Sequence, residues 1–427
     1  MKFAPTPVGL VLNAARERFD NNIPAAVAKL STVMNHTCVS KDLTVWREAA
    51  ATMVSAKEYE RAADVLECIH EVEPWNPEPC YQLAALWDTV GDWNKAAAWI
   101  SQAYRRLGSS WGQTITCTLY GDILYKLGET ETAARMWDRA LAAPNQDGSS
   151  LFAKAEILLA RGEWAEGWKL FEARWHTAEA WRTQKLHQTD LRSLPPEWDG
   201  KAAGRVLVCA EQGSGDTLMM LRYVPFVENH VLVCQPEILP LVRTRWPEIT
   251  AVANGERVEA EWSVPLMSLA LKLGFLEYPI NGWTGTHSRE RTGALRLGVC
   301  WKGSPDHGND RDRSSPIDFR TAFAMDGVEI VSLQHGEPTK FRDFAATAEV
   351  IESCDAVVTV DTSVFHLAGT LGVPTYVIPP TRPELRFPLT HETTTPWYPS
   401  CTVVRRRKSS DWDAAIADVR SRVRAMV

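Results

Sequence analysis

Residues 356–374, Ala356-Val-Val-Thr-Val-Asp361-Thr362-Ser363-Val-Phe-His366-Leu-Ala-Gly-Thr-Leu-Gly372-Val-Pro374, join a run of small β-branched residues to a polar turn and a helix-forming stretch. In such a layout a parallel strand delivers polar side chains to the carboxyl edge of a sheet, where the unpaired N–H groups of the next helix can meet an anion. Two readings of Asp361, Thr362 and Ser363 stay open, a phosphate seat or ordinary helix caps. His366, on the first helical turn and turned toward the same edge, favours the seat.

Four other loops point to related chemistry. Glu211-Gln-Gly213-Ser214-Gly215-Asp216-Thr217 follows a short apolar run, and Gly213 and Gly215 flank Ser214 where a ligand or a facing lobe can come close. Asp216 is a candidate general base for an acceptor hydroxyl, with a helix cap as the alternative. The loop from Lys302 to Pro316 gathers Lys302, Arg311 and Arg313 between Gly303 and Gly308, either as a diphosphate clamp or as a charged surface loop. Gln334-His335-Gly336 offers polar groups for a base or ribose, or simply turns the chain. Arg382 and Arg386 stand on the fourth loop. Asp310-Arg-Asp312 spells the carboxylate pair of metal-dependent sugar transferases. The flanking arginines are expected to pair with these carboxylates, and no metal or resident cofactor is expected where cations and a helix terminus already neutralise phosphates.

These loops need a scaffold. Apolar runs at 205–210, 230–234 and 249–253 alternate with helical patterns at 218–228 and 236–246. Runs at 295–301, 328–333, 356–360 and 375–378 alternate with helices at 317–325, 339–354 and 364–371. Alternation of this kind predicts two doubly wound parallel sheets with ligands at the strand carboxyl ends. An amphipathic helix is expected at 410–427, packing aromatics at Trp397 and Tyr398, and a solvated basic run at Arg405-Arg-Arg-Lys408.

Before the Pro/Gly break at Leu194-Pro-Pro-Glu-Trp-Asp-Gly200 the chain repeats itself. Lys57-Glu-Tyr-Glu-Arg-Ala-Ala63, Gly91-Asp-Trp-Asn-Lys-Ala-Ala97, Gly128-Glu-Thr-Glu-Thr-Ala-Ala134 and Gly162-Glu-Trp-Ala-Glu-Gly-Trp168 are offset by 34, 37 and 34 residues. That period marks tetratricopeptide helix pairs, with a weaker unit at Asn22-Ile-Pro-Ala-Ala26. Trp93 and Trp164, at equivalent positions, are expected to fill the core. The fold class is therefore α followed by α/β: helical repeats over 1–190, a first Rossmann-like half over 195–290 and a second over 291–427.

At 427 residues, 45% hydrophobic and 23% charged, the chain suits several soluble domains. A formal charge of −7 argues against a broad nucleic-acid surface. No apolar run is long enough for a membrane span, and no signal peptide is expected from Lys2, Pro5, Pro7 and the short run to Leu12. Nine scattered cysteines without Cys-x-x-Cys fit a reducing cytoplasm.

Taken together, Glu211 to Thr217, Pro265-Leu-Met-Ser-Leu269, Trp301-Lys-Gly-Ser-Pro305, Asn309 to Ser314, Val331-Ser-Leu-Gln334, Val360 to Ala368 and Trp397-Tyr-Pro-Ser400 resemble tetratricopeptide-containing glycosyltransferases. These are similar to the heptosyltransferase family (glycosyltransferase family 9) and, more distantly, to protein O-GlcNAc transferases. The resemblance implies a GT-B fold with the acceptor mainly on the first half, the nucleotide-sugar donor mainly on the second, inversion, and no essential metal. It matches Asp216 to the proposed catalytic aspartate. It matches Asp361, Thr362 and Ser363 to the donor loop, His366 to the histidine that follows, and Lys302 and Arg313 to positions near the diphosphate. Two places depart from the pattern: Ser214 replaces a larger apolar residue, and Pro383-Glu-Leu-Arg-Phe387 replaces a more aromatic segment. The expected function is a cytoplasmic glycosyltransferase whose repeats bind a macromolecular acceptor or a protein partner. The alternatives are a non-catalytic repeat scaffold and a transferase acting on modified nucleic-acid bases.

Overall fold

The computed structural model describes residues 43–107, 112–144, 146–177, 185–186, 189–190, 194–277, 279, 284–291, 293–305, 307, 309–335 and 342–427. The repeat unit at Asn22 to Ala26, Gly308, Gly336 and the start of the 339–354 helix lie outside these residues. The chain divides into two compact units, Met1–Asn145 and Gln146–Val427.

Over its described residues the first unit is a set of helix hairpins: α1 (Leu43–Ser55) with α2 (Tyr59–Val72), α3 (Pro77–Val90) with α4 (Trp93–Arg105), and α5 (Gln113–Lys126) with α6 (Thr130–Ala142). The repeated residue at each hairpin turn is left-handed, with φ of 61° at Lys57, 89° at Gly91 and 88° at Gly128. Glycine takes that conformation without strain, whereas Lys57 does not. Five residues further on, Ala62, Ala96 and Ala133 are wholly buried, because a larger side chain would hold the paired helices apart. Trp87 and Trp137 fill the core, and the Trp137 indole donates to Asp122 Oδ1 at 3.0 Å. Trp93 is only half-buried, since it opens α4 at the hairpin turn.

The second unit begins with the fourth repeat pair, α7 (Gly148–Ala160) and α8 (Trp164–Phe171), turned by Gly162 at φ 78°. Its first sheet comprises β1 (Val206–Cys209), β2 (His230–Cys234), β3 (Ala251–Ala253) and β4 (Trp262–Pro265), ordered β3-β2-β1-β4. Helices α9 (Ser214–Met220) and α10 (Leu239–Arg245) follow β1 and β2. The second sheet comprises β5 (Leu295–Cys300), β6 (Val328–Ser332), β7 (Ala356–Val360), β8 (Thr375–Ile378) and β9 (Cys401–Val403), ordered β9-β8-β7-β5-β6. Helices α11 (Phe344–Glu352) and α12 (Ser363–Leu371) precede and follow β7, and α13 (Trp412–Arg424) ends the chain. Every strand pair in both sheets is parallel. The expected class, helical repeats followed by two Rossmann-like halves, is the observed one. Among the described residues no helix is long and apolar enough to cross a membrane.

One continuous core joins α7 and α8 to both halves: Leu159, Trp164, Trp168 and Phe171 share it with Leu218 and Met219 of α9 and with Phe365 and Leu367 of α12. Trp164 is core, as expected, and stands edge-on to the buried Trp397 with ring centroids 6.4 Å apart.

Several local expectations are corrected. The helix expected at 218–228 starts at Ser214 and gives way after Met220 to a 3-10 turn, Leu221–Phe226, that contains Pro225. Proline lacks the N–H that an α-helix interior requires. The helix expected at 317–325 is one turn, Phe319–Ala322. Strands β4 and β9 were not foreseen, because β4 holds a single β-branched residue and ends on proline and β9 is only three residues long.

The Arg405–Lys408 stretch is not simply a solvated run. Arg406 is 4% exposed, and its guanidinium donates to Asp312 Oδ1 at 3.0 Å. Thr381 N, Thr381 Oγ1 and Ser409 Oγ also reach the Asp312 carboxylate, at 2.8, 2.8 and 2.6 Å. Arg405 donates to the carbonyls of Phe387, Pro388 and His391. Asp312 thus joins the second half internally, held by a distant arginine rather than by its sequence neighbours, and is spent as a metal ligand.

Two stability tests follow. Replacing Lys57 by glycine relieves the left-handed strain and should stabilise the repeat unit by about 0.5–1 kcal/mol in chemical denaturation, so an equal or lower midpoint would show that Lys57 is unstrained. Asp312→Ala strands the buried Arg406 charge and should cost roughly 3–5 kcal/mol, whereas Asp310→Ala should cost under about 1 kcal/mol.

Candidate functional site

The carboxyl ends of both sheets bring Gly213, Gly215 and Asp216 together with Ser363 and His366. After β1 the chain passes Glu211 and Gln212, the latter at φ 61°, and enters α9 at Ser214. After β7 it passes Asp361 and Thr362 and enters α12 at Ser363. The first turns of α9 and α12 meet at Gly215. A Cβ there would lie 2.7 Å from His366 Cδ2 and 3.6 Å from the Ser363 Cα, so only glycine lets the two helices approach this closely.

Asp216 is buried at this junction. Its Oδ2 accepts the Gly213 N–H at 3.1 Å, and its Oδ1 is ion-paired with Arg386 Nη2. It is the third residue of α9 and accepts the N–H of the cap residue Gly213, so the capping role is observed alongside the ion pair. Arg386, on the loop after β8, also donates from Nη1 to Glu384 Oε2 at 2.8 Å. Burial works against its charge, but Glu384, Asp216 and Asp361 outweigh that and hold it firmly protonated. Thr395 Oγ1 donates to the Arg386 carbonyl at 2.7 Å and Trp397 Nε1 to the Leu385 carbonyl at 2.8 Å, which fixes the backbone of this loop.

On the other side, Asp361 Oδ1 lies 4.0 Å from His366 Nε2, and His366 Nδ1 is 2.9 Å from the Tyr398 hydroxyl. Burial, and after it the charges of Arg386, Arg222 and Arg313, hold the imidazole well below its usual 6.5, so it is neutral near pH 7. Thr362 makes no side-chain cap; its hydroxyl is 3.4 Å from Thr359 Oγ1 and 3.8 Å from Cys300 Sγ. Ser363 opens α12, half-buried. Among the described residues no side chain caps the first turn of α12; the Phe365 and His366 N–H groups turn to the Thr362 carbonyl at 3.0 and 3.4 Å, which leaves those of Ser363 and Val364 as the ones an anion could meet.

The Lys302 loop adjoins this junction through Cys300. A cleft of about 400 Å³ lies against it, lined by Trp301, Lys302, Pro305, Arg320, Gln334 and His335. Arg313 lies over the loop backbone, with Nη2 2.5 Å from where a Cβ on Gly303 would be. Gln334 lines the cleft but is occupied: Oε1 accepts from Trp301 N and Lys302 N at 3.1 and 2.9 Å, and Nε2 donates to the Lys302 carbonyl at 2.9 Å. It shapes the loop. Arg311 is exposed and does not line the cleft. Ser214 turns to the first half, donating to Glu237 at 3.2 Å.

Sequence reasoning passed over three participants, Glu384, Tyr398 and Arg174, and left a fourth, Arg386, as a loop cation without a stated role. Arg386 and Glu384 lie on the segment that departs from the family pattern. Tyr398 looked like packing alone. Arg174 donates from Nε and Nη2 to Glu211 at 3.0 and 2.8 Å and from Nη2 to Ser268 at 2.8 Å. Glu211 also accepts the Met267 N–H at 3.0 Å, so the turn that ends the fourth repeat, the 3-10 turn after β4 and the glycine loop are tied at one buried carboxylate.

No family profile matches the chain. Protein FlbA of Caulobacter vibrioides is 21% identical over 440 residues, an alignment that covers 86% of this chain and 71% of FlbA. Among solved structures, an O-GlcNAc transferase mutant of Thermobaculum terrenum is 9% identical and covers 100% of this chain and 94% of its own at a TM-score of 0.39. MamA of Desulfovibrio magneticus is 16% identical and covers 31% of this chain and 73% of its own at a TM-score of 0.28. These scores are too low to bear on the chemistry of the site.

The neutral, buried His366 has a consequence for acid stability. The unfolded chain takes up a proton that the native imidazole resists, so the native state loses stability as the pH falls through 6.5. His366→Gln should therefore flatten the decline in melting temperature between about pH 7 and pH 5 relative to the unmodified protein. Parallel declines in the two proteins would show that the imidazole is freely protonated.

Proposed function

We propose that residues 146–427 form a glycosyltransferase that moves a sugar from a nucleotide-sugar donor to a hydroxyl of an acceptor, with inversion. The observation that carries this reading is the meeting of Asp216 from the first half with the open amino end of α12, Asp361, His366 and Arg313 from the second. A single displacement needs a base on one face of the sugar and a positive seat for the leaving phosphate on the other. In this reading Asp216 takes the proton of the acceptor hydroxyl. The amides of α12, Lys302 and Arg313 stabilise the negative charge that builds on the leaving diphosphate. Neutral His366, fixed through Tyr398, offers one ring nitrogen to donor or acceptor. The cations and the helix end supply the charge compensation for which transferases of the metal-dependent kind use an ion.

The wider reading assigns the repeats to a macromolecular acceptor or protein partner. It places the protein in a reducing cytoplasm, where the eight described cysteines would stay unpaired. The Asp216–Arg386 ion pair is the one observation that favours a non-catalytic scaffold, since a carboxylate bound to arginine is not free to act as a base.

Melting curves with UDP, GDP, ADP and dTDP, followed by hydrolysis or transfer assays with the matching sugar nucleotides, separate the two. A transferase should be stabilised by at least one nucleotide, and Lys302→Ala should weaken that binding about ten-fold. Asp216→Asn should reduce turnover by a factor of about 10² or more while nucleotide binding persists. A melting temperature unmoved by every nucleotide would leave the scaffold reading standing.

A further inference from the structure

We propose that Arg386 is a latch on the candidate base: it holds Asp216 in the donor-free protein and releases it when an anionic diphosphate draws the guanidinium away. This rests on the transferase reading above and adds to it a mechanism that couples donor binding to the arming of the base.

Three observations converge. First, both Asp216 oxygens are engaged, Oδ2 by the Gly213 N–H and Oδ1 by Arg386, and the guanidinium stands on the side of the carboxylate that faces the second half. An acceptor hydroxyl donating to Oδ1 must displace it. Second, Arg386 is shared among too many partners. It pairs with Asp216 and Glu384 and also feels Asp361, while its own Nε and Glu384 Oε1 are buried without a hydrogen-bond partner among the described residues. The latch is thus neither isolated nor fully satisfied, and its guanidinium has a spare donor. Third, Arg386 is within electrostatic reach of the amino end of α12, where it lowers the proton affinity of His366 and is itself influenced by Asp361. A diphosphate seated on that helix end would offer it a doubly charged acceptor in place of a single carboxylate oxygen.

The surrounding charge sets what the exchange requires. Asp216, Asp361 and Glu384 oppose Arg386 and Arg313 at the junction. An entering diphosphate adds negative charge and must recruit a cation, and Arg386 is the one whose present partner is the candidate base. Until that happens Asp216 cannot deprotonate water or acceptor, so the donor is not exposed to an armed base before it is seated. The backbone of the latch is anchored through Thr395 and Trp397, so the exchange requires only rotation of the side chain.

The test is a double-mutant cycle on nucleotide binding alone, read by calorimetry with UDP, GDP, ADP and dTDP on the full chain. In the unmodified protein, binding has to break the Asp216–Arg386 pair. Asp216→Asn weakens that pair beforehand and should tighten binding of the preferred nucleotide roughly three- to thirty-fold. Arg386→Met should weaken binding, and Asp216→Asn added to it should bring no further gain. Arg386→Lys serves the same comparison should the methionine variant fail to fold. Equal affinity, within two-fold, of the Asp216→Asn and unmodified proteins would overturn the latch while leaving the transferase reading intact, and so would a gain that persists in the double variant. Absence of nucleotide binding in both the unmodified and Asp216→Asn proteins would overturn the transferase reading and the latch with it.

Discussion

The arrangement depends on one steric allowance, the missing side chain of Gly215. Two helices that follow strands of different sheets bring their amino ends together there, with His366 of one against the backbone of the other. Helix ends with unsatisfied amides ordinarily avoid each other, since both carry partial positive charge. Here the repulsion is offset by carboxylates placed at each end, Asp216 in the first turn of α9 and Asp361 just before α12. The shared apolar core beneath them, from Leu218 and Met219 to Phe365 and Leu367, holds the two halves in register.

The fourth repeat pair belongs to this construction rather than to the array it resembles in sequence. Gly167 sits against Leu159, where a Cβ would come within 2.8 Å of Cδ2, the close helix approach typical of the repeats. Yet α7 and α8 bury their tryptophans in the core of the α/β unit, and Arg382 reaches back to Glu156 at 3.3 Å. Arg174 fixes Glu211 immediately before the glycine loop. A buried charge of this kind is costly to strand, which gives the junction geometric precision more than raw stability. The repeat is thereby a structural support for the loop that carries Asp216.

Much of this was legible in the residues. Buried parallel strands read as short continuous β-branched runs, so β2, β7 and β8 stood out with their observed limits. The repeat period and its glycines announced the hairpins, because a left-handed turn and a close helix contact each demand a particular small residue. What could not be read were pairings between distant residues. Asp312 is adjacent to two arginines in sequence but is held by Arg406, ninety-four positions away. Gln334 looked like a ligand for a base and instead binds the backbone of the neighbouring loop. Arg386 stood in a segment whose departure from the family pattern marked difference without saying what the difference does.

The charge distribution at the junction explains why these distant pairings matter together. Three carboxylates are gathered within a largely buried region, an arrangement that would be strongly unfavourable unless each were matched. Asp216 is matched by an amide and a guanidinium and Glu384 by the same guanidinium, while Asp361 stands 4.0 Å from His366 Nε2 and within electrostatic reach of Arg386. His366 contributes no charge, which spares the helix end a competing cation and leaves its amides as the positive element. The junction is built from charged groups that share partners. On the proposed reading, a phosphate entering there would redistribute contacts already present, without a large movement of either half.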